Sequence, residues 1–189
     1  MKTPLRYQIT EYDCGSTSII NALSYLFDSS EIPVYFLKQI YDICLDECDE
    51  DGIIGDNGTS NEAMKFLADW FNAYREKTNF PIYCSYLEND DVTFINDSKL
   101  LNLLKDENTV IIIRCKLEYD HFILLTNADE NYIYAFDPYF ENICNDEKII
   151  KTDDIKANRK IPIDFMETTK GKYYSINDIE KIAIVFSNK

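Results

Sequence analysis

Histidine is the scarcest chemically useful residue in this chain: there is one, His121, in 189 residues. Cys44 and Cys48, separated by three residues, have no second Cys or His pair to close a tetrahedral set, so a zinc site is not expected. Positive charge is short as well. Nineteen Lys and Arg stand against 34 Asp and Glu, a formal net charge of −15. Such a surface repels nucleic-acid phosphates and anionic membranes, which sets both aside as partners. It suits a basic peptide, although acidic surfaces commonly serve solubility alone. No stretch approaches the ~18 consecutive apolar residues of a membrane span. Met1 to Arg6 contains no apolar signal region, so the cytoplasm is the expected compartment. With five glycines and five prolines against 46% apolar residues, the composition is that of an ordered globular chain. Repeats and low-complexity tracts are lacking too, and the length fits a single domain, 1–189.

What is present concentrates in one stretch, Gln8-Ile9-Thr10-Glu11-Tyr12-Asp13-Cys14-Gly15, which runs into the apolar-periodic segment 16–27. Ile19, Ala22, Leu23, Leu26 and Phe27 recur there at helical spacing and predict one buried face. Cys14 therefore stands at a helix N-terminus, where unpaired N–H groups and the helix dipole favour a thiolate. Gly15 leaves the backbone open to close approach by a ligand. Gln8, six residues upstream, supplies an amide able to donate to an oxyanion developing beside the sulfur.

A thiolate nucleophile needs a base. His121 opens the apolar run Phe122-Ile123-Leu124-Leu125-Thr126, and Asp137-Pro138 closes another run after Phe136. Cys, His and Asp in that order is one arrangement for thiol catalysis, the His moving the proton and the Asp holding its tautomer. Asp120 is the second candidate for the acid. Most unpaired cysteines are merely buried and a histidine before an apolar run is usually structural, so it is the combination that carries the reading.

Gln8-x4-Asp13-Cys14-Gly15, His121 opening an apolar strand and Asp137-Pro138 ending the next resemble the bacteriocin-processing, papain-like cysteine peptidases, which cut leader peptides after a double glycine. The resemblance covers roughly residues 5–140. It implies Cys14 as nucleophile, His121 as general base, Asp137 as orienting acid and Gln8 as oxyanion donor, with no cofactor and no metal. It also implies a peptide substrate with small residues before the scissile bond. Transport-linked members carry a membrane exporter; this sequence is similar to their stand-alone relatives, with a separate transporter or biosynthetic enzymes as expected partners. Two other outcomes share the cleft: an acyltransferase resolving the acyl-enzyme with an amine or thiol, and a non-catalytic peptide-binding module.

Elsewhere the pattern predicts a helix over 33–45 with Pro33 in its first turn. An acidic loop follows over 46–58; its Glu47–Gly52 resembles a calcium loop but has Glu first and Gly58 twelfth, so no calcium site is expected. Thr59 and Glu62 form a capping box for a helix to about Arg75, burying Ala63, Phe66, Leu67, Trp70 and Phe71. Strands are expected over 80–87, 109–116, 121–126, 132–136 and 180–186, with a short helix over 98–105 capped by Ser98. Seven Lys or Arg gather over 148–172 (positions 148, 151, 156, 159, 160, 170 and 172). The six cysteines, at 14, 44, 48, 84, 115 and 144, are expected as thiols, Cys84 and Cys115 as core residues. The 14 Tyr and 11 Phe are expected to fill the core and line the cleft. The layout is α+β and papain-like: N-terminal helices packed on a C-terminal antiparallel sheet.

Overall fold

The computed structural model describes residues 1–95, 98–140, 146–168, 173–177 and 179–189; Cys144, Lys170 and Lys172 lie outside them. Three helices come first: α1 (Cys14–Leu26), α2 (Val34–Ile43) and α3 (Asn61–Thr78). Then follow β1 (Tyr83–Glu88), α4 (Lys99–Leu104), β2 (Thr109–Lys116), β3 (Asp120–Ala128), β4 (Tyr132–Phe136), β5 (Ile150–Asp154), β6 (Ala157–Pro162), α5 (Ile163–Met166) and β7 (Ile182–Ser187). The seven strands form one antiparallel sheet in the order β1-β7-β2-β3-β4-β6-β5. The class is α+β, with the N-terminal helices on the sheet as the sequence predicts. None of the helices among the described residues is long and apolar enough to cross a membrane.

The unbroken apolar runs of β2 and β7 have a cause in the packing. Side chains alternate across a strand, so a sheet covered on both faces needs apolar residues at consecutive positions. Val110 and Ile112 join α1, α2 and α3 in one core, while Ile111, Ile113 and Cys115 join α4, Phe165, Met166, Tyr174 and Ile176 in a second. Cys84 and Cys115 are buried strand residues, as expected. The strand closing the chain lies inside the sheet, between β1 and β2.

Several local expectations change. Every residue of α1 except Tyr25 is buried, so the helix has no solvent face. Its polar side chains are matched instead: Ser18 Oγ donates to the Phe122 carbonyl at 3.1 Å, and Asn21 bonds both the N–H and the C=O of Arg6. The cap of α3 is Ser60, whose Oγ accepts from Ala63 N at 3.0 Å. Thr59, predicted as the cap, accepts from Leu45 N at 3.1 Å and so ties the acidic loop to the helix start. Phe66, predicted in the core, is 55% exposed. It lies one step off the stripe of Met64, Leu67 and Phe71 that meets the sheet. The strand predicted from residue 80 begins at Tyr83, because Pro81 has no N–H to donate to the ladder.

Candidate active site

Cys14 is the first residue of α1 and is only 7% exposed. Asp13 before it organises the approach. Its carboxylate accepts from Thr10 N (2.7 Å), Thr10 Oγ1 (2.8 Å), Ile9 N (3.1 Å) and Thr17 Oγ1 (3.2 Å). Burial raises the Asp13 pKa, but these bonds outweigh it and hold the group below the usual carboxylate range. The carboxylate therefore binds the 8–13 loop to the helix start through its ionised form.

His121 stands near the start of β3, opposite Cys115 of β2, and is buried. Its Nε2 lies 2.8 Å from Asp137 Oδ1, and the Cys14 sulfur is near enough to act on the same imidazole. Tyr139 meets the imidazole edge-on, ring centroids 6.3 Å apart. Burial pushes the His121 pKa down, but the Asp137 charge, then the Cys14 sulfur, and hydrogen bonds to both carry it up to about 10.

Asp137 follows β4 directly and is 1% exposed. Its Oδ1 takes both His121 and the Tyr139 N–H (2.8 Å); its Oδ2 takes the Tyr174 hydroxyl at 2.6 Å. Asn158 on β6 clamps its backbone, accepting from Asp137 N and donating to Asp137 O, each at 2.8 Å. Burial raises the Asp137 pKa, and the His121 charge with these hydrogen bonds brings it below the ordinary value. Asp120, the other candidate acid, points elsewhere: it pairs with Arg114 at 2.8 Å and Lys116 at 3.6 Å.

Gln8 is bound to the same corner, its backbone N–H donating to the Pro138 carbonyl at 2.9 Å. Its side-chain Nε2 donates to the Thr10 carbonyl at 2.8 Å, engaging one of the two N–H groups of the amide, while Oε1 is buried without a partner. Cys14, His121, Asp137 and the Gln8 backbone thus converge from α1, β3, the end of β4 and the N-terminal loop.

This arrangement sits in a known architecture. No family model matches the chain, and no curated protein matches its sequence. Solved structures do match. The crystal structure of a double glycine motif protease from an AMS/PCAT transporter, in complex with the leader peptide, is 17% identical, with 98% of this chain and 91% of that one covered and a TM-score of 0.50. A C39-like peptidase from Bacillus anthracis is 15% identical, with 98% and 94% covered and a TM-score of 0.54. The fold is that of the double-glycine peptidases.

Within the double-glycine peptidase fold, Gly15 has a different reason from the one expected. A Cβ on Gly15 would lie 2.9 Å from Thr59 Cβ, so the residue admits the approach to α3 against α1. Three further residues hold the site: Asp13, Tyr174 and Asn158. Asp13 was within the motif, and its spacing from Thr10 was the available signal. Tyr174 and Asn158 carried none, because they lie far along the chain in a segment without a recognisable pattern. A cavity of about 1210 Å³ opens elsewhere, by the turn between β3 and β4, lined by residues such as Leu101, Tyr132 and Ile163. None of the candidate catalytic residues lines it, and the chemistry of the Cys14 corner is better evidence of a reactive centre than the size of that hollow.

Proposed function

We propose that the protein is a cysteine peptidase that cleaves a peptide after small residues, a Gly-Gly leader junction being the favoured substrate. The observation that carries this reading is the buried His121–Asp137 pair at 2.8 Å, with the Cys14 sulfur near enough to act on the same imidazole. In this reading Cys14 Sγ attacks the peptide carbonyl carbon as the thiolate. The oxyanion is held by the Cys14 backbone N–H and by the second N–H of the Gln8 amide. His121 passes its Nδ1 proton to the departing amine, and the C–N bond breaks to leave a thioester. Water, deprotonated by His121, then releases the acid and restores the Cys14 thiolate beside a protonated imidazole. Asp137 keeps the imidazole in one orientation throughout. The likeness to a protease crystallised with its leader peptide supports the substrate class, and the net charge of −15 favours a basic segment in that substrate. The cytoplasm is its proposed compartment.

The test is alkylation by iodoacetamide at pH 6–8, mapped by mass spectrometry in the wild type and in His121→Ala. Cys44 is pushed up to about 12 by burial, and burial also raises Cys84 and Cys115 well above an ordinary thiol. Exposed Cys48 is the internal reference. Cys14 should outpace Cys48 below pH 7 and lose that lead in His121→Ala. If Cys14 lags Cys48 and ignores the substitution, the catalytic reading fails and a binding module that keeps the cleft takes its place.

A further inference from the structure

A carboxylate that orients a histidine has two oxygens, and here both are engaged. Oδ1 serves His121 and the Tyr139 N–H; Oδ2 serves the Tyr174 hydroxyl at 2.6 Å. Tyr174 is distant in sequence, 1% exposed, and held with φ at 66°. That is the left-handed region, which a bulky side chain occupies only under constraint from its surroundings. The constraint is visible. Tyr174 N donates to Lys116 O at 2.5 Å, Lys116 N donates to Ser175 O at 2.8 Å, and Ile176 N donates to Met166 O at 2.9 Å. The segment is thereby fastened to the end of β2, next to Cys115, which faces His121 across the ladder.

We propose that Tyr174 is a positioning residue of this site, whose hydroxyl fixes the Asp137 carboxylate in the orientation that His121 requires. The inference rests on the catalytic reading of Cys14, His121 and Asp137. A phenylalanine would fill the same volume, so what the hydroxyl adds is its bond to Oδ2. A neutral donor also suits the task better than a lysine or arginine, whose charge would cancel the attraction of Asp137 for the imidazolium. The groups facing this couple are Cys14 from α1, Cys115 from β2, Tyr139 beside the ring and Arg159 from β6, with Asp120 adjacent to His121 on β3.

The single histidine makes the test direct, since its imidazole resonances need no assignment among others. The full chain is titrated by NMR as wild type, Tyr174→Phe, Asp137→Asn and the double variant, with circular dichroism to check the fold. Tyr174→Phe should lower the imidazole titration by about one pH unit, the scale of one hydrogen bond to a buried carboxylate. On a Gly-Gly leader peptide, kcat should fall about tenfold with KM unchanged. In the Asp137→Asn background the same change should do little, because Tyr174 acts only through Asp137. A folded Tyr174→Phe that titrates like wild type overturns the proposal, as does an equal effect in both backgrounds. Should Tyr174→Phe not fold, 13Cζ-tyrosine spectra of the wild type decide. At pH 7, below the range in which tyrosines themselves ionise, one tyrosine signal must shift between the wild type and Asp137→Asn as its hydroxyl loses the carboxylate partner; a signal set unchanged by that substitution overturns the proposal. The titrations need no substrate. An inert Cys14 with a Tyr174-dependent imidazole would therefore sink the peptidase reading alone.

Discussion

Asp137 and the Cys14 sulfur together overcome the burial of the His121 imidazole and hold its pKa up, to about 10. Stability should follow. A His raised from 6.5 to about 10 stabilises the fold fully below pH 6.5, and that contribution is lost as pH rises toward 10. Asp137, held below 3.8, contributes above pH 3.8 and loses its share as pH falls through its lower folded value. Urea midpoints measured from pH 6 to 10 should therefore decline in the wild type. In His121→Gln, which cannot titrate there, the decline should be much shallower; an unchanged slope would contradict the pairing. For activity, Asp137→Asn keeps the shape of the site and removes its charge. It is expected to reduce kcat/KM by roughly 10²-fold or more and to move the alkaline limb of the pH profile downward.

Elements position these residues through a few close contacts. The Asp13 carboxylate makes three bonds to the 8–13 loop and a fourth to Thr17 of α1, so Asp13→Ala should loosen that loop and the start of α1 together. A drop in kcat of about tenfold or more, with a loss of about 1–3 kcal/mol in denaturant unfolding, is the expected pair of readings. The contact between α1 and Thr59, at the approach to α3, is steric. Gly15→Ala would place a methyl group 2.9 Å from Thr59 Cβ, where no flexible side-chain end can yield. Overpacking of this kind costs about 1–3 kcal/mol, and Thr59→Gly in the same chain should recover most of it. Ser60→Ala should cost about 1 kcal/mol as the true cap of α3. The cap falls one residue past the expected Thr59, and Thr59 and Ser60 are chemically alike. Which of them caps depends on Thr59 being drawn toward Leu45 and Gly15.

For the whole molecule, the last strand is decisive. β7 pairs with β1 on one side and β2 on the other, so truncation after Lys181 would open the middle of the sheet. Such a chain should fail to give a cooperative thermal transition, which calorimetry would register at once. The net charge of −15 acts at the same scale. If a basic leader peptide is drawn in by the overall field, kcat/KM for it should fall as salt rises from 0.05 to 0.5 M, over which screening shortens from above to well below about 10 Å. A neutral peptide should show little dependence, and equal salt responses would remove the steering argument.

Local physics was legible in the residues themselves. A thiol at a helix start, a histidine at the head of an apolar strand, Ser98 as the cap of α4 and the period change from helices to strands all depend on neighbours within a few positions. So did the α+β class, because burial periodicity is a short-range record of which faces meet. For the acid, where the residues put Asp137 ahead of Asp120, tertiary structure supplied the reason, Arg114 and Lys116 drawing Asp120 away across a strand turn. It alone placed Tyr174 and Asn158 behind the Asp137 carboxylate, inserted β7 between β1 and β2, and surrounded α1 on every side. These are contacts between residues tens of positions apart, and they are set by how the two faces of one sheet are covered, which no local pattern encodes.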